Sequence, residues 1–423
     1  MSEHILDELS WRGLIALSTD LDALRRDLDA GPLTLYCGFD PTAASLHLGN
    51  LVQILTLRRF QRAGHRPLGL VGGATGLIGD PRPTAERVLN SPEVVAEWVG
   101  RIRAQIEPFL DFTGPNAATM VNNLDWTAPL SAIDFLRDIG KHFRVNRLLE
   151  KEAISTRLAS ESGISFTEFS YQLLQAYDFL ELHRRHGCTM QTGGSDQWGN
   201  LTSGVDLIHR VTGKSMHLVA TPLVTKADGT KFGKTETGSI WLDPALTSPY
   251  AFFQFWVNAD DKDVVAYLKI FTDLSREEID DLAERTVSQP AARAAQQVLA
   301  RAATTMLHGE TETDRVIAAS QALFGRGELR ELSAATLAAV MAEVPTGEAR
   351  LGDGATIVDL LVASQLVDTK SAGRRAVKEG GAYVNNRKVT DEAWQPSGTD
   401  LLDGGWLVLR RGKRHTAGVR LVS

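Results

Sequence analysis

Cysteine is almost missing from this chain: Cys37 and Cys188 are the only two in 423 residues. Two thiols cannot build a disulfide framework, so the expected setting is a reducing one, the cytoplasm. Long apolar runs are missing too. No stretch approaches the ~20 residues that cross a bilayer, and the opening MSEHILDELSWRG lacks the apolar core of a signal peptide. No membrane partner is expected. The ten histidines never fall at zinc-ligand spacing, so no protein-bound metal is expected either. Positive charge is in deficit: the net charge of −7 excludes a protein coated in basic surface.

That average hides an asymmetry. From Lys370 onward eleven Lys and Arg face five Asp and Glu, a local +6 that leaves −13 for the rest. An acidic body with a basic end suggests that the end grips a polyanion, a solvated helix face being the plainer alternative. The length implies two or three domains.

What is present is organised around LTLYCGFDPTAASLHLGN, residues 33–50. Its apolar first half predicts a buried strand, Leu33 to Cys37. A turn with Gly38, Asp40 and Pro41 follows, and a helix with apolar residues at helical spacing runs to Gly64. This order puts His47 and Gly49 at a helix N-terminus, where free N–H groups and the dipole favour phosphate. Pro67 to Val71 predicts a second strand running into GGATGLIGD, so a βαβ unit and a parallel sheet are expected, with ligands at the carboxyl ends of its strands. That glycine run fits neither GxGxxG nor a P-loop; as a bare loop it reads equally well as a tight turn.

Further helices are expected over residues 1–31, 93–112 and 131–152. FTEFSYQLLQAYDFLELHRRHG (Phe166 to Gly187) is strongly amphipathic, and Tyr171, Gln175 and Asp178 share one of its faces, either lining a pocket or meeting water. A strand near Cys188 to Gln191 opens onto GGSDQWGN, followed by a helix through His209. TKADGTKFGKT, from Thr225, is a basic glycine-bearing loop able to close over phosphates, or a solvated charged loop. Helices run to Phe324, and Gly325 to Gly354 reads as a connecting region. The end holds two short helices, a hairpin with an Asn-Asn turn (AYVNNRKV) and a final strand, WLVLRRGKRH. Lys370, Arg374 and Lys378 line one side of the second short helix with Arg375 beside them, which suits a nucleic-acid backbone.

Taken together, HLGN resembles the HIGH signature of class I aminoacyl-tRNA synthetases and KFGKT resembles their KMSKS loop. Joined by GGATGLIGDP, FTEFSYQLLQAYDF and GGSDQWGN, the chain looks like the bacterial tyrosyl-tRNA synthetases along nearly its whole length, and its end is similar to their S4 RNA-binding domain. The resemblance implies an α/β fold: a Rossmann-like catalytic domain over 1–222, the KMSKS-type loop and linker over 223–248, a helical domain over 249–325, a linker over 326–352 and an S4-like α+β domain over 353–423. It implies activation of L-tyrosine by ATP with Mg²⁺, transfer to tRNA(Tyr), and a homodimer joined around Trp126 to Val145.

By the same resemblance, Tyr36 and Asp178 bracket the substrate phenol, while Tyr171, Gln175 and Asp80 receive its ammonium group, with Thr75 and Gln191 close by. Cys37, Gly38, Asp40, Gly49, Asn50, Gly194, Asp196, Gln197 and Lys234 surround the nucleotide, its ribose held by Gly194, Asp196 and Cys37. Thr42, His47, Lys231, Lys234 and Thr235 gather the β- and γ-phosphates. Lys370, Arg374, Arg375 and Lys378 meet RNA. Two positions depart from the pattern. Asn50 replaces the second histidine of HIGH and is expected to contact the nucleotide, and the loop PRPTAERV offers Arg82 and Arg87 where relatives carry lysines. Tryptophanyl-tRNA synthetase and a non-catalytic RNA-binding or splicing factor derived from a synthetase stay open as alternatives.

Overall fold

A computed structural model describes residues 3–81, 89–159, 163–230, 232–235, 238–350, 352–412 and 415–422. Arg82, Arg87 and Lys231 lie outside the described residues. The backbone divides into two compact units, residues 1–243 with 265–279, and residues 244–264 with 280–423.

The first unit is built on six strands: β1 (Leu17–Ser18), β2 (Thr34–Phe39), β3 (Arg66–Val71), β4 (Thr119–Asn122), β5 (Met190–Gly194) and β6 (His217–Thr221). Their spatial order is β1-β6-β5-β2-β3-β4. All pairs are parallel except β1 with β6. β2 is buried along all but Gly38, as expected of a strand covered on both faces. Tyr36 lies beside Leu68 of β3 and Gln191 of β5. Chain order reverses across β2, so the carboxyl ends of β2, β3 and β5 open a crevice at the switch point.

The long amphipathic helix forms over Phe166–His186, started by the Ser165 side chain and ended by Gly187 at φ 63°. It packs Phe179 and Leu180 into one core with Tyr36, Leu201 and Leu218. Two expected helices are corrected. The N-terminal 31 residues are two helices, Ile5–Trp11 and Leu21–Ala30, because Gly13 at φ 72° turns the chain into β1. The stretch expected as one helix over 131–152 breaks into short turns, which lets Phe135 and Phe143 reach the core.

The second unit carries the helices Pro249–Val257, Ala294–His308 and Glu310–Leu323 and a five-stranded sheet. The presumed connecting region holds a helix, Ala334–Met341, and a strand, Thr346–Arg350. That strand pairs in parallel with His415–Val422. It is short and polar, so its pattern carries no strand signal. The Asn-Asn turn is present, Asn385 and Asn386 standing at φ 47° and 66°. The final strand is two, Trp406–Arg411 and His415–Val422, paired antiparallel.

Candidate active site

One cleft of about 560 Å³ opens at the switch point. It gathers Tyr36, Cys37, Gly38, Asp40, Thr42, His47, Gly49, Asn50, Thr75, Asp80, Tyr171, Gln175, Asp178, Gln191, Gly194, Asp196 and Gln197. Parts of the chain far apart in sequence thus line a single space.

At its floor Asp178 is 2% exposed. Asn123 Nδ2 donates to one carboxylate oxygen at 3.0 Å and Trp126 Nε1 to the other at 2.8 Å. Burial outweighs these bonds and pushes the carboxyl up to about 7. Among the described residues the hydroxyl of Tyr36, 1% exposed, has no hydrogen-bond partner, and neither do Gln175 Oε1 and Gln191 Oε1. Burial, and then the charge of Asp178, push the Tyr36 phenol well above its usual range. Each buried polar atom left unpaired costs about 1–3 kcal/mol, so this floor is built to meet a polar ligand.

Above it, Asp40 accepts from Tyr171 Oη and from Thr75 Oγ1, both at 2.6 Å. Gly72 makes room for that carboxylate: a Cβ there would fall 2.0 Å from Asp40 Oδ1. The glycine run is therefore more than a turn. Asp80 accepts from Gln197 Nε2 at 3.1 Å and Asn200 Nδ2 at 3.2 Å, which ties GGATGLIGD to GGSDQWGN. Cys37 is buried and its thiol pushed up to about 12, so it is neutral and unreactive. Its Sγ lies 4.0 Å from Gln53 Oε1, and Gln53 Nε2 donates to Thr221 Oγ1 at 2.6 Å.

The helix Leu48–Arg62 begins at His47, and here the expected array of free N–H groups is corrected. Gly49 N donates to His47 Nδ1 at 3.1 Å, Asn50 N to His47 O at 2.9 Å, and Leu48 N to Ile240 O at 3.1 Å. The helix caps itself because a histidine side chain can reach back at that position. With Nδ1 accepting, the neutral imidazole carries its proton on Nε2. The helix dipole still favours an anion at this end. Asn50 lines the cleft, and its Oδ1 accepts from His47 N at 3.0 Å, so it also completes the cap.

KFGKT reaches the same helix through its main chain. Lys234–Thr235 pairs with Gly238–Ser239 in a two-stranded hairpin. Ile240 N donates to Gly233 O at 2.8 Å, and Ile240 O receives Leu48 N. The two motifs are therefore bridged by a single residue, Ile240, along a hydrogen-bonded path.

Sequence reasoning gave no role to Asn123, Gln53 and Asn200, and it set Trp126 at a dimer seam, whereas Trp126 is buried and its indole holds Asp178. Asn123 is fully buried and donates to both Asp178 and Thr75 Oγ1, and its Oδ1 receives Ala74 N. Its only signal was a pair of asparagines closing a short apolar strand. On the basic helix, Lys370 pairs with Asp359 at 2.7 Å, and Arg374 and Lys378 approach Glu392 at 3.9 and 3.6 Å. Among the described residues no ion pair is found for Arg375.

A family model for class I tRNA synthetases (W and Y) matches residues 28–325, and one for a tyrosine–tRNA ligase SYY-like C-terminal domain matches 336–417. The chain is 66% identical over 418 residues to a tyrosine–tRNA ligase of Streptomyces avermitilis, covering 99% of both. It is 58% identical over 424 residues to the one from Mycobacterium bovis, covering all of both. A C-terminally truncated mitochondrial tyrosyl-tRNA synthetase of Aspergillus nidulans aligns at TM-score 0.69 and 29% identity, covering 76% of this chain and 95% of that one. A tryptophanyl-tRNA synthetase of Encephalitozoon cuniculi shares the fold at TM-score 0.56 and 15% identity.

Proposed function

From the premise that this chain belongs to the tyrosine–tRNA ligases of class I, joining tyrosine to tRNA at the expense of ATP, we propose how its residues divide that work. The tryptophan reading is set aside, since relatives with full-length matches at 58–66% identity are tyrosine enzymes. The reading as a non-catalytic RNA-binding factor falls on the same finding.

Tyr36 and Asp178 read the phenol hydroxyl, one as donor and one as acceptor. Tyr171, Gln175 and Asp80 take the ammonium group, with Thr75 and Gln191 behind them. Asp40, Cys37, Gly38, Gly49, Asn50, Gly194, Asp196 and Gln197 surround the adenosine, and Gln53 joins them. Thr42, His47, Lys231, Lys234 and Thr235 meet the β- and γ-phosphates of ATP, which arrives with its Mg²⁺. The substrate carboxylate attacks the α-phosphate in line and pyrophosphate leaves. That step asks for positioning and for donors where charge grows, not for a proton-transfer pair. The terminal ribose hydroxyl of tRNA(Tyr) then attacks the adenylate.

The division into a catalytic domain (1–222), loop (223–248), helical domain (249–325), linker (326–352) and S4-like domain (353–423) assigns RNA contact to Lys370, Arg374, Arg375 and Lys378. No helix among the described residues is long and apolar enough to cross a membrane, and we place the enzyme in the cytoplasm. A homodimer is supported by exposed apolar side chains in the expected stretch: Ile133, Leu136 and Val145 are 69%, 54% and 61% exposed. Sedimentation of Leu136→Asp is expected to give a monomer; an unchanged dimer rules this stretch out.

The observation that carries the reading is the buried, partnerless Tyr36 hydroxyl in the same cleft as the pinned Asp178. ATP–pyrophosphate exchange with each of the twenty amino acids tests it. Exchange with tyrosine alone is expected; exchange only with tryptophan, or with none, overturns it.

A further inference from the structure

Two buried arginines, Arg12 and Arg59, lie outside the lining of the cleft and meet a helix that touches the KFGKT loop, the flap. Arg59, near the end of the helix that His47 caps, is 5% exposed. Its Nη2 donates to the carbonyls of Ile270 at 2.7 Å and Thr272 at 3.2 Å. Arg12, 7% exposed, donates to the carbonyls of Lys269 at 2.7 Å, Thr272 at 3.2 Å and Leu274 at 3.1 Å. Lys269 and Ile270 are among the last acceptors of the helix Val264–Phe271, which the helix itself cannot satisfy, and Thr272 and Leu274 follow directly, at the end where the dipole favours a cation. Arg58 and Arg62 grip the next turn through Asp273, at 2.6 and 2.9 Å.

This end cap is an expensive way to stop a helix. Among the described residues Arg59 Nη1 has no hydrogen-bond partner, and burial pulls the guanidinium down to about 9. An apolar side chain of like volume would avoid that desolvation cost.

The same helix presents Tyr267 and Phe271 to Phe232, with ring centroids 4.9 and 5.2 Å apart. Phe232 is the second residue of KFGKT, between Lys231 and Gly233. The flap is thus held at two points to the one helix that starts at His47. One is direct, through Ile240 and Leu48. The other runs through Phe232, the aromatic seat and Arg59.

We propose that Arg59, with Arg12, is a positioning residue for adenylate formation: by fixing the Tyr267–Phe271 seat it sets where Phe232 docks, and so how the flap presents its lysines to the triphosphate. This rests on the reading that KFGKT acts on ATP phosphates. Displacement of the seat by an ångström carries Phe232 with it, and misplacement on that scale costs up to about a hundredfold in comparable positioning defects.

The test measures tyrosine-dependent ATP–pyrophosphate exchange, the tyrosine dissociation constant and the melting temperature for Arg59→Met, Phe232→Ala and the double variant in the full chain. Each single variant is expected to lower kcat at least about tenfold and to raise KM for ATP, leaving tyrosine affinity within about twofold. The double variant is expected to be no worse than the more severe single one, because both break the same seat. Additive losses, or a tyrosine affinity that falls in step with kcat, overturn the proposal. Should Arg59→Met not fold, Arg59→Lys replaces it, since lysine lacks the planar fork and restores only part of the cap. Faster tryptic cleavage within the flap together with lowered kcat is then expected, and wild-type values for both overturn the proposal. Lys234→Ala serves as the separate control: if it leaves exchange unchanged, the flap reading itself fails, whatever Arg59 does.

Discussion

Tyrosine binding should weaken as pH falls from 8 to 6, and the cause should be one carboxyl. Asp178 is surrounded by protein, accepts among the described residues from Asn123 and Trp126 alone, and sits at about 7. A displacement of about three units from an ordinary carboxyl corresponds to roughly 4 kcal/mol of preference for the protonated form. The substrate hydroxyl donates best to the ionised form. The fraction ionised is then about nine-tenths at pH 8, about half at pH 7 and about a tenth at pH 6. The tyrosine dissociation constant should therefore rise about tenfold between pH 8 and pH 6, measured by equilibrium dialysis without ATP. Asp178→Asn should bind more weakly and show a flat profile. Asn123→Ala removes one of two bonds to the ionised form, worth about one pKa unit or more, which moves the midpoint upward and weakens binding about threefold at pH 7.5. The sign for stability follows from the same group. Its folded value lies above the unfolded one, so between about pH 4 and 7 the folded state holds a proton the unfolded state has lost, and the ligand-free fold loses stability as pH rises. A wild-type profile that stays flat from pH 6 to 8 refutes the reasoning, as does an Asp178→Asn profile as steep as wild type.

Three other outcomes are expected. Gly72→Ala places a Cβ on the Asp40 carboxylate and Thr75 hydroxyl, so exchange activity should fall at least about tenfold, while far-ultraviolet dichroism stays that of the folded protein. Arg157→Met leaves Glu168 buried without the guanidinium it meets at 3.0 Å, both side chains being 1–2% exposed, and should cost about 3–5 kcal/mol in urea unfolding; the pair Arg157→Met with Glu168→Leu should recover much of that. Ending the chain after residue 343 removes the sheet whole, strand Thr346–Arg350 included, and should keep tyrosine-dependent exchange while abolishing tRNA charging. A cut at residue 352 instead strands that segment without its partner and should aggregate more readily.

The parallel sheet and the long helix were legible because their signals are local: apolar strands closed by glycine, and apolar residues at helical spacing capped by Ser165 and Gly187. The shared face of Tyr171, Gln175 and Asp178 was legible from spacing, though only the packed structure shows that it lines the cleft. Asn123 was not legible, because its importance lies in bonds to residues some fifty positions away on either side. The helix start was half read. Position suggested an anion site, but whether a cap side chain consumes the N–H groups depends on the rotamer of His47, which sequence does not fix. Thr346–Arg350 was missed since a strand of polar residues is made by its neighbour, not by its composition.

Asp40 accepts from Tyr171 on one oxygen and from Thr75 on the other. A ligand that draws the Tyr171 hydroxyl away for itself strips Asp40 of a donor and leaves it more strongly negative toward whatever occupies the neighbouring half of the cleft. The amino acid and the nucleotide are in that sense bargaining over one carboxylate. Thermodynamic reciprocity requires that whichever arrives first alters the affinity for the second by a factor that does not depend on the order of arrival.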